Sequence, residues 1–259
     1  MFDAHAWFLA LGLLLAFAVA GWLLSLAKRD VSIVDSLWSI MFLIAAGTYA
    51  SATETGPRVT LVLALAAIWA LRLAAYITWR NWGEVEDYRY RQIRKNNSPN
   101  FAFKSIYIVF GLQSVLAWFI SLPLLAAITG TRPMGILDVA GVALWLTGFL
   151  CESVGDLQLA RFRADPRNRG RVLNTGLWRF TRHPNYFGDF CVWWGFYLLA
   201  VAAGGWWSIA APLLMSFLLL RVSGVALLEK DIAARRPEYA DYIARTNAFF
   251  PGPARKVTG

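Results

Sequence analysis

Histidine and cysteine are scarce: His5, His183, Cys151 and Cys191 are all that the chain contains. Two distant histidines cannot build a histidine-rich metal site, and the cysteine spacing matches no metal motif. Both cysteines lie in or beside apolar runs and read as small buried apolar residues. No two glycines stand in a G-x-G pair, so there is no dinucleotide-binding fingerprint of the soluble type and no Walker loop. No G-x-S-x-G elbow occurs either. These absences speak against a soluble dehydrogenase, a kinase and a serine hydrolase. Charge is thin as well, at 16% of 259 residues, against about 25% in an ordinary soluble domain.

Long apolar runs fill the space instead. Hydrophobic residues make up 58% of the chain and fall in blocks of about 20, the length that crosses a hydrocarbon core of about 30 Å. Seven spans are expected, at about 5–27, 32–52, 59–78, 106–129, 134–155, 188–203 and 206–228. The first is not expected to be a cleaved signal peptide. Asp3 and His5 precede it without a lysine or arginine, and its apolar stretch exceeds a signal core of about 7–15 residues. Of the 25 Lys and Arg residues, Arg58 and Arg132 alone occupy the loops after even-numbered spans, and Arg72 and Arg221 lie within spans. All the others follow odd-numbered spans. The positive-inside rule then puts those loops and the C-terminus in the cytoplasm and the N-terminus outside. The net charge of +9 is mostly this topological signal, so no nucleic-acid partner is expected.

The chain reads as one integral membrane domain, all-α and polytopic, with no long linker. Two loops expected in the cytoplasm are too charged for plain turns: "WRNWGEVEDYRYRQIRKNNSPN" (79–100) and "DLQLARFRADPRNRGRVLNTGLWRFTRHPNY" (156–186). The tail (229–256) is charged too, with an amphipathic helix expected from about 228 to 244. Gly141, Gly148 and Gly155 recur every seventh residue, so they share a helix face that another helix can approach closely.

The polar residues that could carry chemistry gather at the cytoplasmic ends of spans five, six and seven. Pro184 suits the first turn of a helix, where its missing N–H costs nothing, so span six should begin at His183-Pro184. A helix N-terminus with Arg179, Arg182 and His183 just before it is a ready anion site. Asn185 and Asp189, four apart, share a face, and Asp189 could accept from hydroxyl or amide donors. The competing reading makes these arginines topological anchors, with one of them pairing Asp189. In the tail, Glu229, Arg236, Tyr239, Tyr242 and Arg245 could fold back over the same loop. Tyr239 and Tyr242 could flank a planar ring or belong to an interfacial aromatic belt. Four ionisable residues fall inside the expected spans: Asp35, Arg72, Glu152 and Arg221. Such groups are costly in a bilayer and so are functional candidates, the alternative being an internal Asp–Arg pair that locks helices together.

"NTGLWRFTRHPNYFGD" followed by "RRPEYADYIARTNAFFPGPARK" resembles the steroid 5-alpha-reductase family, most closely its bacterial branch, catalogued as a domain of unknown function. Sterol C14- and C7-reductases and isoprenylcysteine and phospholipid methyltransferases share a looser version of the pattern. The resemblance is strongest over about 150–256, and "RLAAYITWRNWGEVEDYRY" fits the bacterial branch too. It implies a seven-helix membrane fold, NADPH held by cytoplasmic loops and helix ends, and a lipid-accessible cavity for an apolar enone. It implies a bacterial inner-membrane location and a monomer in contact with membrane lipids. Asn174, Arg179, Arg182, His183, Asn185, Tyr186 and Asp189 match the cofactor motif. Glu152, Asp156, Arg161 and Arg163 match the stretch before it, and Tyr239 and Tyr242 match the tail. A Gln-Glu pair that animal steroid reductases carry near the second helix is missing here, and Asp35 is the best acidic stand-in.

The expected reaction is reduction of a carbon–carbon double bond conjugated to a carbonyl, in a steroid or another isoprenoid lipid. Hydride goes to the β-carbon and negative charge moves to the carbonyl oxygen, which a hydrogen-bond donor then stabilises. Asp35 serves if it is protonated, with Tyr76 as the alternative donor. A second reading is an S-adenosylmethionine-dependent methyltransferase acting on a lipid or prenylated acceptor. The arginines between Arg161 and Arg182 favour NADPH, since S-adenosylmethionine has no phosphates. A third reading is a membrane transporter or assembly factor, which binds no nucleotide.

Overall fold

A computed structural model of the chain describes residues 2–222 and 237–255. Among these residues the only regular elements are helices. In chain order they are α1 (Ala4–Lys28), α2 (Ile33–Ser51), α3 (Pro57–Arg80), α4 (Tyr88–Asn96), α5 (Phe101–Thr129), α6 (Ile136–Ala164), α7 (Pro184–Ala202), α8 (Trp206–Val222) and α9 (Pro237–Arg245). Five of them, α1, α2, α3, α5 and α6, are long and apolar enough to cross a membrane. The chain is therefore an integral membrane protein. α7 and α8 occupy the places expected for spans six and seven. α7 is shorter on aliphatic residues, carrying Asn185, Tyr186, Asp189, Trp193 and Trp194 within its 19 residues, and α8 is a shorter apolar helix. The remainder of the expected seventh span, and the first part of the expected tail helix with Glu229 and Arg236, lie outside the described residues.

The helices group into two compact units, one of residues 1–135 with 199–211 and the other of 136–198 with 212–259. In the first unit α2 is central and packs against α1, α3 and α5. It buries Met41, Phe42, Ala45, Ala46 and Tyr49. α1 turns a stripe of small residues inward: Ala6, Ala10, Ala18, Gly21 and Ser25, with Leu14 between them. Small side chains let backbones approach closely where lipid gives no hydrophobic drive between helices. A Cβ at Gly21 would come within 2.5 Å of Leu37 Cδ1. Buried hydroxyls find partners, as the bilayer demands: Ser39 donates to the Ala70 carbonyl at 2.9 Å, and the Tyr49 and Ser121 hydroxyls lie 2.7 Å apart. At the other end of α1, Trp7 stacks on Trp118 with centroids 3.8 Å apart.

In the second unit α6 and α7 meet through glycine. A Cβ on Gly148 would lie 2.5 Å from the Gly188 carbonyl oxygen and 2.6 Å from the Val192 nitrogen. One on Gly195 would lie 2.9 Å from the Gly141 oxygen, and one on Gly155 would touch Pro184 at 3.2 Å. The glycine face expected on α6 is thus the face that α7 covers. Trp145 and Phe196 pack beside this crossing, both buried.

Candidate functional site

α7 begins at Pro184, as its proline predicts. The loop before it is fixed from both sides. Gly176 adopts φ +60, a conformation that glycine reaches without cost, and no Cβ would fit there because the Gln158 side chain fills the space. Leu177 N–H donates to Gln158 Oε1 at 3.0 Å, and Trp178 Nε1 donates to the Gly155 carbonyl at 3.1 Å. The described part of the tail folds back over this loop. Tyr242 donates to the Trp178 carbonyl at 2.5 Å, Thr181 Oγ1 to the Phe249 carbonyl at 2.8 Å, and Gly252 N–H to the Phe180 carbonyl at 3.0 Å.

The residues expected to hold a cofactor separate into three groups. Glu152 and Asp156 are buried, 3% and 5% exposed, one turn apart on α6. Asn185 donates to Asp156 Oδ1 at 3.2 Å, while Asp189 follows one turn along α7, half-buried. His183 is buried and stacks against Tyr186, with ring centroids 5.7 Å apart. Arg161, Arg163, Asn174 and Arg179 form the second group, all exposed. The guanidinium groups of Arg161 and Arg179 have no partner among the described residues. The third group is engaged in holding the tail. Arg182 is buried, and its guanidinium donates to the carbonyls of Thr246 at 2.5 Å and Ile243 at 3.2 Å, at the end of α9. Tyr239 and Tyr242 meet each other edge to face, with centroids 5.5 Å apart. Their rings form a pair, and Tyr242 is fixed by its bond to Trp178. The second unit thus carries two exposed, unpartnered guanidinium groups, Arg161 and Arg179, and a buried carboxylate–amide pair, Asp156 with Asn185.

The first unit holds Asp35, in the first turn of α2. Its carboxylate accepts from the Tyr90 hydroxyl at 2.6 Å and from Arg89 Nη2 at 2.5 Å. Arg89 is itself held by Asp87 at 3.0 Å, and Asp87 caps α4 by accepting from the Arg89 N–H. Nearby, Glu86 accepts from the Val31 N–H at 2.9 Å and from two nitrogens of Arg94. Two carboxylates therefore strap the 86–96 segment to the start of α2. Burial pushes the Tyr90 hydroxyl well above its ordinary range, and the Asp35 charge adds to that shift. Burial disfavours the charged form of Arg89, but the charge of Asp35 and the hydrogen bond and charge of Asp87 outweigh it and hold the guanidinium firmly protonated. Tyr76, the other expected donor, lies on α3 with the Arg80 guanidinium over its ring at 5.9 Å. Sequence reasoning missed Tyr90, Arg89, Glu86 and Gln158. The run "EVEDYRY" signalled a polar loop, and nothing local marked which tyrosine meets Asp35.

These features define a polytopic α-helical membrane protein with polar clusters at its helix ends. The chain belongs to the family described as "Protein of unknown function (DUF1295)", whose model matches residues 21–246. It is also similar to the uncharacterized protein C594.04c of Schizosaccharomyces pombe, 28% identical over 281 residues, covering 93% of this chain and 78% of that one. No solved structure matches it.

Proposed function

We propose that this protein reduces the carbon–carbon double bond of an apolar enone, a steroid or similar isoprenoid lipid, with NADPH as reductant. The supporting observation is the cluster at the start of α7, where Asn185 meets the buried Asp156 and the loop that carries the unpartnered Arg179 is bonded to α6 through Gln158 and Gly155. In this reading Arg161 and Arg179, with Arg163, receive the phosphates, and Asn174 adds an amide at their edge. Glu152, Asp156, Asn185 and Asp189 take the ribose and carboxamide donors, with His183 and Tyr186 as a stacked wall. Arg182, Tyr239 and Tyr242 position the loop by fixing the tail. NADPH, when bound, supplies the hydride that the β-carbon of the enone accepts. Asp35 then serves as the acceptor that fixes a phenol. The Tyr90 hydroxyl, held at 2.6 Å from Asp35, can redirect its proton to the enone oxygen as charge develops there. A protic group so placed lowers the barrier by about 3–4 kcal/mol. Tyr76 remains the second donor in this scheme. Basic loops facing the cytoplasm would put the cofactor residues where NADPH is available, in a seven-span arrangement with the C-terminus inside.

Thermal unfolding of detergent-purified protein with NADPH, NADH and S-adenosylmethionine tests this reading. A ligand that binds only the folded state adds about 2.7 kcal/mol at a hundred times its Kd. NADPH should raise the midpoint most, and an apolar enone should consume it. Stabilisation by S-adenosylmethionine alone would replace this reading with a lipid methyltransferase. No response to any of the three would favour a transporter or assembly factor.

A further inference from the structure

The corner between α1 and α2 meets the end of α3 around a cavity of about 470 Å³, lined among others by Lys28, Arg29, Ser36, Asn81, Trp82 and Glu84. This volume is in the range of small-ligand sites. Its acidic floor is engaged: Asp30 accepts from the N–H and hydroxyl of Ser32, and Glu86 is taken by Val31 and Arg94. Its rim is not. Lys28, Arg29 and Glu84 are exposed and have no side-chain partner among the described residues. The cavity therefore offers two free cations and one free carboxylate.

Arg29 adds a second observation. It is the residue that ends α1, with φ 56 and ψ 30, its N–H bonded to the Leu26 and Ser25 carbonyls. Glycine is the usual occupant of such a left-handed helix end, and a long side chain there is strained. Arg29 thus lines the cavity at a position where glycine would fold more easily. The place is also informative. The C-terminal ends of α1 and α3 and the start of α2 lie at one end of three membrane-length helices. Leu23, Leu24 and Leu71 are exposed along their sides, and Trp82 and Val85, 78% and 76% exposed, stand at the mouth. Tryptophan at such a level marks the headgroup region.

We propose that this corner binds a phosphate ester that carries a primary ammonium, with phosphatidylethanolamine from the surrounding leaflet as its source. Lys28 and Arg29 take the phosphate. Glu84 takes the ammonium, and the acyl chains run along α1 and α3. The site is independent of the proposed reduction, which uses none of these residues.

The test is lipid titration of the full-length protein in neutral detergent, read by native mass spectrometry and by thermal unfolding. The probes are dioleoyl phosphatidylethanolamine, phosphatidylglycerol, phosphatidylcholine and free phosphoethanolamine. Phosphatidylethanolamine should bind about tenfold more tightly than phosphatidylcholine, whose quaternary ammonium has no N–H to donate. Arg29→Gly should weaken both phosphatidylethanolamine and phosphatidylglycerol about tenfold. The lipid-free unfolding midpoint should stay level or rise, because glycine relieves the left-handed strain. Glu84→Gln should abolish the preference for phosphatidylethanolamine over phosphatidylglycerol and leave phosphatidylglycerol binding unchanged. Free phosphoethanolamine binding as tightly as the lipid would support the same headgroup chemistry with a soluble source. Equal binding of phosphatidylethanolamine and phosphatidylcholine would overturn the proposal. So would unchanged lipid binding in Arg29→Gly and Glu84→Gln, which would leave Lys28 and Arg29 as topological charges alone.

Discussion

Tyr90 brings a phenol against a carboxylate at a helix start, and the pair is fixed by a third group, Arg89. Replacing Tyr90 by Phe keeps the buried ring and removes only the hydroxyl, with its hydrogen bond to Asp35. If Tyr90 donates to the enone oxygen, kcat for enone reduction should fall by about 10²–10³. NADPH-induced stabilisation should be unchanged, because Tyr90 has no part in holding the cofactor. Unaltered kcat would remove Tyr90 from the chemistry and return attention to Tyr76. Asp35 was legible in the sequence because a carboxylate inside an apolar run is costly and calls for a reason. Its partner was not, since the contact joins residues 55 positions apart and the loop offers two neighbouring tyrosines, Tyr88 and Tyr90. Burial separates them: Tyr88 is exposed and Tyr90 is buried.

At the scale of elements, the crossing of α6 and α7 and the strap at α4 each make a prediction. Gly148 faces backbone atoms of α7, which cannot give way as a flexible side chain can. Gly148→Ala should therefore separate the two helices and cost about 1–3 kcal/mol, as overpacking does. A lower unfolding midpoint in detergent would show it, while Gly47→Ala, where a Cβ meets nothing within 4 Å, serves as the neutral control. The seven-residue glycine spacing on α6 made its face readable. The matching Gly188 and Gly195 on α7 are also seven apart, a signal available in the sequence that identifies the partner helix. The strap predicts a pH dependence. Burial alone would raise the Glu86 carboxyl, but hydrogen bonds from Arg94 and Val31 and the charges of Arg94 and Arg91 together hold it below its ordinary 4.5. A carboxyl depressed in the folded state binds protons less readily there than in the unfolded chain. Its contribution is thus complete above the ordinary value and is lost as pH falls through the folded one. Asp87 shifts the same way: its burial is outweighed by the hydrogen bond and charge of Arg89. The protection of residues 81–96 against hydrogen exchange, measured relative to an unfolded chain at the same pH, should therefore fall between about pH 5 and pH 3. Glu86→Gln should show the lower protection already at neutral pH and flatten this dependence. An unchanged profile in that variant would mean that Glu86 does not close the strap.

At the scale of the whole molecule, five of the seven expected spans are helices long and apolar enough to cross a membrane among the described residues, because the bilayer imposes a length that the sequence displays. Which side each loop occupies follows from charge. Helices α1, α2, α3, α5 and α6 reverse the chain at each crossing, so the loops after α1, α3 and α6 share one side if all five span. Those loops carry Arg29, Arg91, Lys95, Arg167, Arg169 and Arg171, while the α2–α3 loop carries Glu54 and no lysine or arginine. Basic loops are retained in the cytoplasm, so the orientation proposed here has the N-terminus outside. Single cysteines on a background of Cys151→Ser and Cys191→Ser test this orientation in intact cells, with a thiol reagent that cannot cross the membrane. Thr55→Cys, exposed between α2 and α3, should be labelled from outside. Asn96→Cys, exposed at the end of α4, should be labelled only after the membrane is opened. The reverse pattern would put the arginines around α7 outside the cytoplasm, away from NADPH. The reductase proposal would then fail together with the topology. Labelling of both sites from outside would mean that α3 does not cross, and the parity that places every later loop would have to be drawn again.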